Sequence, residues 1–391
     1  MLNIKAVIGA NWGDEGKGMM TDYFAHEAIK KGEKCIVVCT NGGAQRGHTV
    51  ETSDDIQHVF HHFGSGTIAG ASTYLSHNYI VNPMEFRREY QELEQLGVKP
   101  VVYVHPSCLW TCPFDMIINQ IVEESRGENK HGSCGMGIWE TIYRYKMESI
   151  SSTVSFVKNN SCLDLVKRLK QYRDIKLPAR LQEYGITEVP DKWEVIINSD
   201  GLIEHYIDDF QFFFDHVEIT GYAMLNDFDS IIFENGQGLL LDYDEDEKHS
   251  TPSHTGLQNV KEILEIGIIK EFNLEVCYVT RSYLTRHGAG PFYGECKKED
   301  INSFMVDETN VPNPFQGTLR YGKLEYNELF KRCEKDFDRY GTLDWSMSLA
   351  ITHLNEYDCP DIYKAKFNYL SGGKERESVK IASEVVKMIE G

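Results

Sequence analysis

The first residues with types and spacing that suit chemistry lie in the segment Gly9–Gly18, which has the sequence G-A-N-W-G-D-E-G-K-G and follows a short apolar run. Glycines between a strand and a helix leave backbone N–H groups free to bind phosphate beside the positive end of the helix. Lys17 adds a positive charge. Asp14 needs a metal ion or a proton to face a phosphate without repulsion. The segment therefore predicts a phosphate site with a carboxylate that binds a metal ion or a proton. The alternative is a tight turn with a solvated aspartate.

A second glycine-rich segment, Asn41–Thr49, follows another apolar run and contains His48. A lone histidine is more often structural than catalytic. This one is predicted to lie at the carboxyl edge of a sheet, where α/β proteins form their ligand sites. The first segment is not an ordinary P-loop, because Gly18 stands where a serine or threonine would hold magnesium. Together the two segments predict a phosphate-handling site with an acid–base pair.

Short apolar runs separated by helical stretches must position these loops. Such a pattern predicts an α/β fold with a mainly parallel central sheet and helices on both faces. A helix is predicted from about Gly16 to Lys30, and residues 1–391 are predicted to form one domain with appended subdomains, with 158–193 as a candidate helical insertion. The predicted strands are Ile4–Ile8, Cys35–Cys39, Tyr79–Val81, Val101–Val104, Ser230–Glu234, Glu275–Val279 and Ser348–Thr352.

Composition excludes several classes of function. The chain of 391 residues is 41% hydrophobic and carries a formal net charge of -20, which argues against nucleic-acid binding. Its ten cysteines contain no C-x-x-C pair, so free thiols in a reducing cytoplasm are expected. No apolar run approaches the roughly 18 residues that a membrane span needs. Residues 1–25 lack the pattern of a signal peptide. We therefore expect a cytoplasmic protein without a membrane or nucleic-acid partner.

Taken together, the two glycine segments resemble the adenylosuccinate synthetase family. That family has G-x-x-W-G-D-E-G-K-G followed by G-G-x-x-x-G-H-T, and the likeness continues in the same order from residue 4 to about 376. In Val59–Gly66, the single histidine of the family's loop falls on His61. The other similar segments are Gly132–Ile138, Phe233–Asp242, Thr251–Thr255, Tyr283–Glu295 and Ser371–Arg376.

The resemblance implies a P-loop-like nucleotide-binding ligase fold and a two-step reaction. ATP or GTP would phosphorylate O6 of inosinate, and the amine of L-aspartate would then displace that phosphate. Asp14 would take the N1 proton and, with the carbonyl of Gly47, hold Mg²⁺. His48 would act as a general acid at the phosphoryl group, and Lys17 would offset its charge. A homodimer is implied as well.

The resemblance also implies binding residues for each substrate. They are Gln45, Ser133, Cys134, Gln237 and Thr251 for the purine monophosphate, Gly13, Glu15, Gly16, Gly18, Asn355 and Gly373 for the triphosphate, and Thr318 and Arg320 for L-aspartate.

Four departures from the family pattern bear on the substrates. Gln45-Arg46 replaces N-A, and Arg46 is expected to add a phosphate contact. The loop Phe315–Gly322 keeps only Arg320 of an arginine-rich motif, and a guanidinium there suits a carboxylate or the triphosphate. Arg144 is out of register with an arginine that reaches the neighbouring subunit. Asn355 replaces an aspartate that reads guanine, and because an amide matches adenine, we predict that ATP is used at least as well as GTP.

Three other interpretations stay open. The departures resemble a phage-associated branch that attaches aspartate to deoxyguanylate with adenine triphosphates. In that branch a small residue tends to replace the loop aspartate, and because Asp14 is kept here, we rank inosinate first. A nucleotide-binding homologue without catalysis is a second alternative, since fold does not imply function. A kinase-like transferase that works without L-aspartate is the third.

Overall fold

The computed structural model describes residues 2–127, 130, 132–148, 152–245, 249–305 and 317–383. Its strands are β1 (Leu2–Gly9), β2 (Cys35–Cys39), β3 (Gly42–Gly43), β4 (His48–Glu51), β5 (Gln57–Phe60), β6 (Ser72–Leu75), β7 (Tyr79–Val81), β8 (Val102–Val104), β9 (Leu109–Trp110), β10 (Val217–Ile219), β11 (Ser230–Gly238), β12 (Phe272–Arg281), β13 (Leu284–Arg286), β14 (Glu295–Cys296), β15 (Arg320–Gly322), β16 (Ser346–Thr352), β17 (Tyr369–Ser371) and β18 (Val379–Ile381).

Its α-helices are α1 (Lys17–Lys30), α2 (Pro83–Gln95), α3 (Pro113–Ser125), α4 (Ile138–Glu148), α5 (Val154–Lys158), α6 (Cys162–Gln171), α7 (Leu177–Glu183), α8 (Asp191–Ile197), α9 (Asp200–Asp215), α10 (Gln258–Ile266), α11 (Tyr326–Tyr340) and α12 (Asp361–Lys364), and a π-helical turn (Tyr172–Lys176) joins α6 to α7. Among the helices described, none combines the length and hydropathy that a bilayer crossing requires.

A ten-stranded sheet forms the centre of the molecule, in the order β10-β8-β6-β2-β11-β1-β12-β16-β17-β18. Neighbouring strands are parallel except for the last pair, β17 and β18. This confirms the predicted fold class. Ile8 and Val7 belong to hydrophobic clusters on opposite faces of the sheet. Both faces of β1 are therefore covered, which explains its nearly continuous apolar sequence.

The helix after the first glycine loop is anchored to one face of this sheet. Its N-cap, Gly16, has a φ of 90°, a conformation that glycine adopts without strain. Met20 and Phe24 then pack with Val37 and Ile232, which lie on β2 and β11. The packing holds the start of α1, and with it the glycine loop, against the carboxyl ends of the central strands.

Helices also fill the region from Cys162 to Ile197, which contains the candidate insertion. Leu165, Leu169 and Leu181 are buried in a cluster that also includes Phe114 of α3 and Phe86 of α2. Each helix thus has one apolar face against the rest of the chain. That residues 158–193 form an insertion within a single domain stays a prediction.

Tyr79–Val81 is the strand whose expected position was wrong. It forms β7, which pairs with β3 and β9 in a separate three-stranded sheet rather than joining the central one. The central position next to β2 belongs to Ser72–Leu75, which we did not predict. A run of three apolar residues predicts a buried strand but does not specify the sheet that it joins.

Candidate active site

The two predicted loops lie at the same edge of the central sheet. The segment after β1 contains Asp14, and the segment after β2 contains His48. β11 runs between these two strands and is parallel to both. Because carboxyl ends of parallel strands share one edge, the turn at the end of β11 meets both loops. Gly18 packs so closely on the second loop that a Cβ there would lie 2.8 Å from the Thr49 carbonyl oxygen.

Glu15 braces the first loop from inside. Its carboxylate accepts hydrogen bonds from the backbone nitrogens of Asn11 at 3.0 Å and Gly13 at 2.8 Å, and it lies 2.6 Å from Lys17 Nζ. Glu15 and Lys17 are both almost fully buried. The Gly13 N–H and the Glu15 side chain are therefore already used within the loop. Of the groups predicted to bind the triphosphate in this loop, the backbone groups of Glu15, Gly16 and Gly18 are the ones left for it to contact.

Asp14 projects from this loop in the left-handed conformation, with a φ of 59°. Its backbone carbonyl accepts a hydrogen bond from Arg281 Nε, and its Oδ2 lies 2.8 Å from His287 Nε2. Burial raises the pKa of Asp14, but His287, Arg281 and Lys17 outweigh burial and hold that pKa well below its ordinary value. Asp14 is therefore ionised at neutral pH, as a proton acceptor or a metal ligand requires.

His48 is held by a buried carboxylate that we had not assigned a role. Its Nδ1 lies 2.8 Å from Glu234 Oε1, and Ser65 Oγ donates to the same oxygen. A carboxylate only accepts, so Nδ1 carries the proton and Nε2 stays available to a ligand. Burial lowers the pKa of His48 to about 4 against the attraction of Glu234. Burial raises the pKa of Glu234, but Arg46 and His48 outweigh it and lower that pKa to about 2.

Two amide side chains meet beside these loops. A Cβ on Gly42 would lie 3.6 Å from Gln45 Nε2 and 4.0 Å from Gln237 Nε2, so both amides border Gly42. The Oε1 atoms of both glutamines are buried without a hydrogen-bond partner. A buried acceptor left unpaired costs about 1–3 kcal/mol. The pair therefore suits a ligand that donates hydrogen bonds.

The predicted phosphate-binding segment around Ser133 lies near the same place. Ser133 Oγ accepts from Asn119 Nδ2 at 2.9 Å, and a Cβ on Gly132 would come within 2.6 Å of Gly288 Cα. Since Gly288 follows His287, this segment adjoins the residue that contacts Asp14. Burial raises the pKa of Cys134 to about 11, so its thiol remains a neutral, weak donor at neutral pH.

Thr251 begins a segment that is tied to the end of β11. Its backbone nitrogen donates to the Leu241 carbonyl at 2.9 Å, and Thr255 Oγ1 donates to the Gly238 carbonyl at 2.9 Å. Asn41 Nδ2 donates to Ser253 Oγ at 3.1 Å. These bonds bring Thr251–Thr255 to the turn that carries Gln237.

The predicted triphosphate-base loops adjoin the first glycine loop from the other side. Thr352 Oγ1 donates to the Glu15 carbonyl at 2.9 Å, and a Cβ on Gly16 would lie 3.0 Å from Thr352. Three residues on, Asn355 is exposed, and a Cβ on Gly372 would lie 3.6 Å from its backbone nitrogen. Gly373, next in sequence, is half-buried. The amide of Asn355 is therefore accessible beside the loop that is predicted to bind phosphates.

Arg320 makes contacts within the chain through all three guanidinium nitrogens. Nε and Nη2 bind the two Glu295 oxygens at 2.8 and 2.6 Å, while Nη1 donates to the carbonyls of Gly288 and Gly290. A ligand carboxylate would have to compete with Glu295. Thr318 is exposed. The first part of the predicted loop, 315–316, lies outside the described residues.

Two arginines of the departures from the family pattern have buried side chains. Arg46 was expected to add a phosphate contact, but its side chain is 1% exposed and lies beside Glu234, so that expectation was wrong. Arg144, which we considered near the subunit-bridging position, is buried against Trp110 and bonded to Asp115. Both side chains point inward because each pairs with a buried carboxylate. The local sequence does not reveal such partners.

The residues predicted to bind Mg²⁺ offer a carboxylate and a carbonyl. Asp14 is ionised and partly exposed, and Gly47 is exposed. Hard oxygen donors of this kind fit magnesium. A separate cluster of Asp242, Asp244 and His254 also has metal-ligand spacing within the described residues. Asp242 already accepts from the Thr255 backbone at 2.6 Å, so this cluster has a structural use.

Sequence reasoning missed Glu234 and His287 as functional residues. Glu234 lies in a segment quoted for the resemblance, and a glutamate in an otherwise apolar strand was the available indication of a role. His287 occupies a variable position of the T-R-x-G motif, so no pattern pointed to it.

Comparisons with known proteins identify the relatives of this chain. The family model described as adenylosuccinate synthetase matches residues 6–359. Adenylosuccinate synthetase from Synechocystis sp. is 29% identical over 315 residues, which is 78% of this chain and 66% of that protein. The protein of the same name from Prochlorococcus marinus subsp. pastoris is 29% identical over 376 residues, covering 93% and 76%. The chain thus spans just under two thirds of the first of these relatives.

Two solved structures share the fold. Fully ligated adenylosuccinate synthetase from Plasmodium falciparum superposes with a TM-score of 0.70 at 18% identity, covering 97% of this chain and 99% of that one. Succinoaminodeoxyadenylate synthetase from cyanophage S-2L, bound to dGMP and to dATP as an energy donor, gives 0.64 at 13% identity, covering 100% and 99%. At these identities the likeness shows the fold alone.

Proposed function

This chain belongs to the adenylosuccinate synthetase family, and from that membership we propose that it is a ligase that joins L-aspartate to C6 of a purine nucleoside monophosphate while a nucleoside triphosphate is hydrolysed. One observation carries the proposal: an ionised carboxylate, Asp14, and an oriented imidazole, His48, stand on neighbouring loops at one sheet edge. Lys17 is close enough to influence the charge of both groups.

In the first step, Asp14 accepts the N1 proton of the base, which makes O6 a nucleophile. O6 bonds to the γ-phosphorus as the bond to the β-phosphate oxygen breaks. Lys17 and the free N–H groups at the start of α1 offset the developing charge. Bound Mg²⁺, held by Asp14 and the Gly47 carbonyl, would supply further positive charge at the phosphates.

In the second step, the amine of L-aspartate bonds to C6 and the phosphate leaves with O6. Among the described residues, His48 Nε2 has no hydrogen-bond partner, so it is the nitrogen that is available to the phosphoryl oxygens. An anionic phosphoryl group nearby raises the pKa of an imidazole. Protonated His48 then acts as the general acid for the departing phosphate. Arg320 would bind an L-aspartate carboxylate in exchange for Glu295.

Inosinate is the proposed acceptor, because this chain keeps Asp14, the loop aspartate that a small residue tends to replace in the branch acting on deoxyguanylate. Deoxyguanylate is the second candidate, and the unpaired acceptor oxygens of Gln45 and Gln237 favour it. A guanine base adds a 2-amino group, which donates hydrogen bonds that hypoxanthine lacks. The cyanophage enzyme of this fold was solved with dGMP.

ATP is proposed as a donor at least as good as GTP. An accessible Asn355 amide offers one donor and one acceptor, which matches the edge of adenine, whereas an aspartate there would accept from the two donors of guanine. We also propose a homodimer, as the resemblance implies; light scattering of the purified chain tests it.

A substrate matrix tests these proposals together. IMP, dIMP, GMP and dGMP are each combined with ATP or GTP, with and without L-aspartate, and products are identified by mass. A succino-nucleotide that forms only with L-aspartate supports the ligase. Phosphate transfer that does not need L-aspartate would mean a kinase-like transferase. No phosphate release in any pairing, despite nucleotide binding, would mean a binding protein.

A further inference from the structure

Arg46 occupies a position where the family pattern has a small residue, yet it belongs to the loop that carries His48. Its side chain passes beneath Gly236, where a Cβ would lie 3.6 Å from Arg46 Cδ, and its guanidinium lies 5.7 Å from the centre of the Tyr79 ring. Burying an arginine this completely costs several kcal/mol unless its charge is paired. The group that pairs with the Arg46 guanidinium therefore indicates the role of this arginine.

That partner is the carboxylate that holds His48. Arg46 Nη1 lies 3.4 Å from Glu234 Oε2, and Nη2 donates to the Phe63 carbonyl at 2.8 Å. The other oxygen, Oε1, lies 2.8 Å from His48 Nδ1. Ser65 binds both oxygens as well, since its backbone nitrogen donates to Oε2 at 3.2 Å and its hydroxyl donates to Oε1. Arg46 and His48 therefore lie at opposite oxygens of one fully buried carboxylate that Ser65 also binds.

We propose that Arg46 is a positioning residue that acts on His48 through Glu234. Its positive charge beside Oε2 adds to the hydrogen bond from the Ser65 backbone nitrogen and favours the rotation of the carboxylate in which Oε1 accepts the Nδ1 proton. His48 then keeps one tautomer and one ring orientation, with Nε2 free for the phosphoryl group. The kinetic part of this inference rests on the proposed function, whereas the tautomer can be measured without it.

A second buried ion pair shows what a merely structural arginine does. Arg144 Nη2 donates to Asp115 Oδ2 at 2.9 Å, and the pair is nearly as buried as Arg46 and Glu234. Asp115 accepts otherwise from the Cys112 backbone and from the hydroxyls of Thr141 and Tyr172. These groups cap a helix or fill the core, so Arg144 is a matched control.

The first experiment compares Arg46→Met, Arg46→Lys and Arg144→Met in the full chain. Arg46→Met keeps much of the side-chain volume without the charge. We expect its kcat to fall roughly tenfold to a hundredfold, part of the 10²–10⁴ that a general acid contributes, with each KM within about threefold. Arg46→Lys should restore part of kcat. Arg144→Met should lose stability but keep kcat. Wild-type kcat in Arg46→Met, or an equal loss in Arg144→Met, would overturn the proposal.

A double-mutant cycle tests the route through Glu234. If Arg46 acts only through that carboxylate, adding Arg46→Met to Glu234→Gln should not lower kcat further. A further loss would overturn the proposal. The comparison uses only Glu234→Gln and the double variant, so it does not depend on whether Arg46→Met alone folds.

The last experiment needs no activity. In protein labelled with ¹⁵N-histidine, the His48 resonances are assigned by their loss in His48→Gln. The wild type should show a protonated Nδ1 and an unprotonated Nε2, and Arg46→Met should show a mixture of tautomers. The same single tautomer in both proteins would overturn the proposal. If the wild type makes no product with any substrate, the proposed function fails, and this measurement still decides the role of Arg46.

Discussion

Two ion pairs in the loops after β1 and β2 are buried, whereas the loop around Arg320 pairs its charge with an exposed carboxylate and the loop around Asn355 presents an exposed neutral amide. In the first region, the reaction loops (Gly9–Gly18 and Asn41–Thr49), Lys17 pairs with Glu15 and Arg46 with Glu234, all away from solvent. In the second, the recognition rim (317–322, 352–355 and 371–373), Arg320 bonds a Glu295 side chain that is 46% exposed. Charges are thus fixed in one region and exchangeable in the other.

This difference separates two tasks. Buried, mutually paired groups are already in place when charge develops in a transition state, and little reorganisation is then needed. Exposed groups exchange partners easily, which suits the choice of substrate. We therefore expect substitutions in the reaction loops to change kcat and substitutions in the recognition rim to change KM or substrate preference. Four measurements test this division, in order of decreasing effect.

Asp14→Asn should lower turnover roughly a thousandfold, within the 10²–10⁴ typical of acid–base groups, because an amide cannot accept the N1 proton. Triphosphate binding, measured by calorimetry, should be nearly unchanged. Asp55→Asn is a matched control, since Asp55 has the same left-handed φ of 59° in an exposed turn. Turnover close to that of the wild type in Asp14→Asn would show that another group is the base.

The buried state of His48 should appear in the pH dependence of stability. Its pKa is about 4 in the fold against an ordinary 6.5, so between these values the unfolded chain binds the extra proton. Stability then falls as pH falls through this window. Urea unfolding of the wild type should lose about 2 kcal/mol more than His48→Gln between pH 6.5 and 5. If the stability of both proteins changes equally with pH, His48 is solvated, and the reaction loops do not differ from the recognition rim in burial at this residue.

Arg320→Gln should raise the KM for L-aspartate by about tenfold, equivalent to 1.4 kcal/mol, with kcat nearly kept. Glu295→Gln removes the competing carboxylate and should lower that KM. Initial rates at saturating nucleotide check both. A fall in kcat for Arg320→Gln, with the KM unchanged, would put Arg320 with the reaction loops instead.

Asn355→Asp should shift the ratio of kcat/KM for GTP over ATP by a few-fold to about tenfold towards GTP, because a carboxylate accepts from both donors of guanine. The two triphosphates are compared in competition at fixed L-aspartate. An unchanged ratio would show that Asn355 does not bind the triphosphate base. It would also weaken the assignment of substrate choice to the recognition rim.

The sequence predicts some structural elements of this molecule better than others. Six strands of the central sheet (β1, β2, β8, β11, β12 and β16) and the glycine loop before α1 follow from apolar runs and turn residues, whereas β6 in the same sheet was not predicted. The inward turn of Arg46 depends on Glu234, which lies far along the chain, and no local pattern contains that information. β7 illustrates the same limit, since strand pairing is a long-range choice.

Individual residues of the candidate site could be selected from the sequence only where a motif contains them. Asp14 and His48 belong to motifs and lie at one sheet edge, while their bonding partners His287 and Glu234 were not predicted. Partners of this kind are selected by three-dimensional proximity. Their pairing with Asp14 and His48 accounts for much of the electrostatics of the candidate site.

The strand order has a consequence for synthesis on the ribosome. β1 and β2 emerge first, but β11, which separates them, and β12, which flanks β1, come from the second half of the chain. Contacts between such distant segments form slowly and late. A nascent chain that stops before Ser230 would expose the bare edges of β1 and β2 and lack the carboxylate that orients His48. Truncation there should yield an aggregation-prone fragment rather than a working half-enzyme.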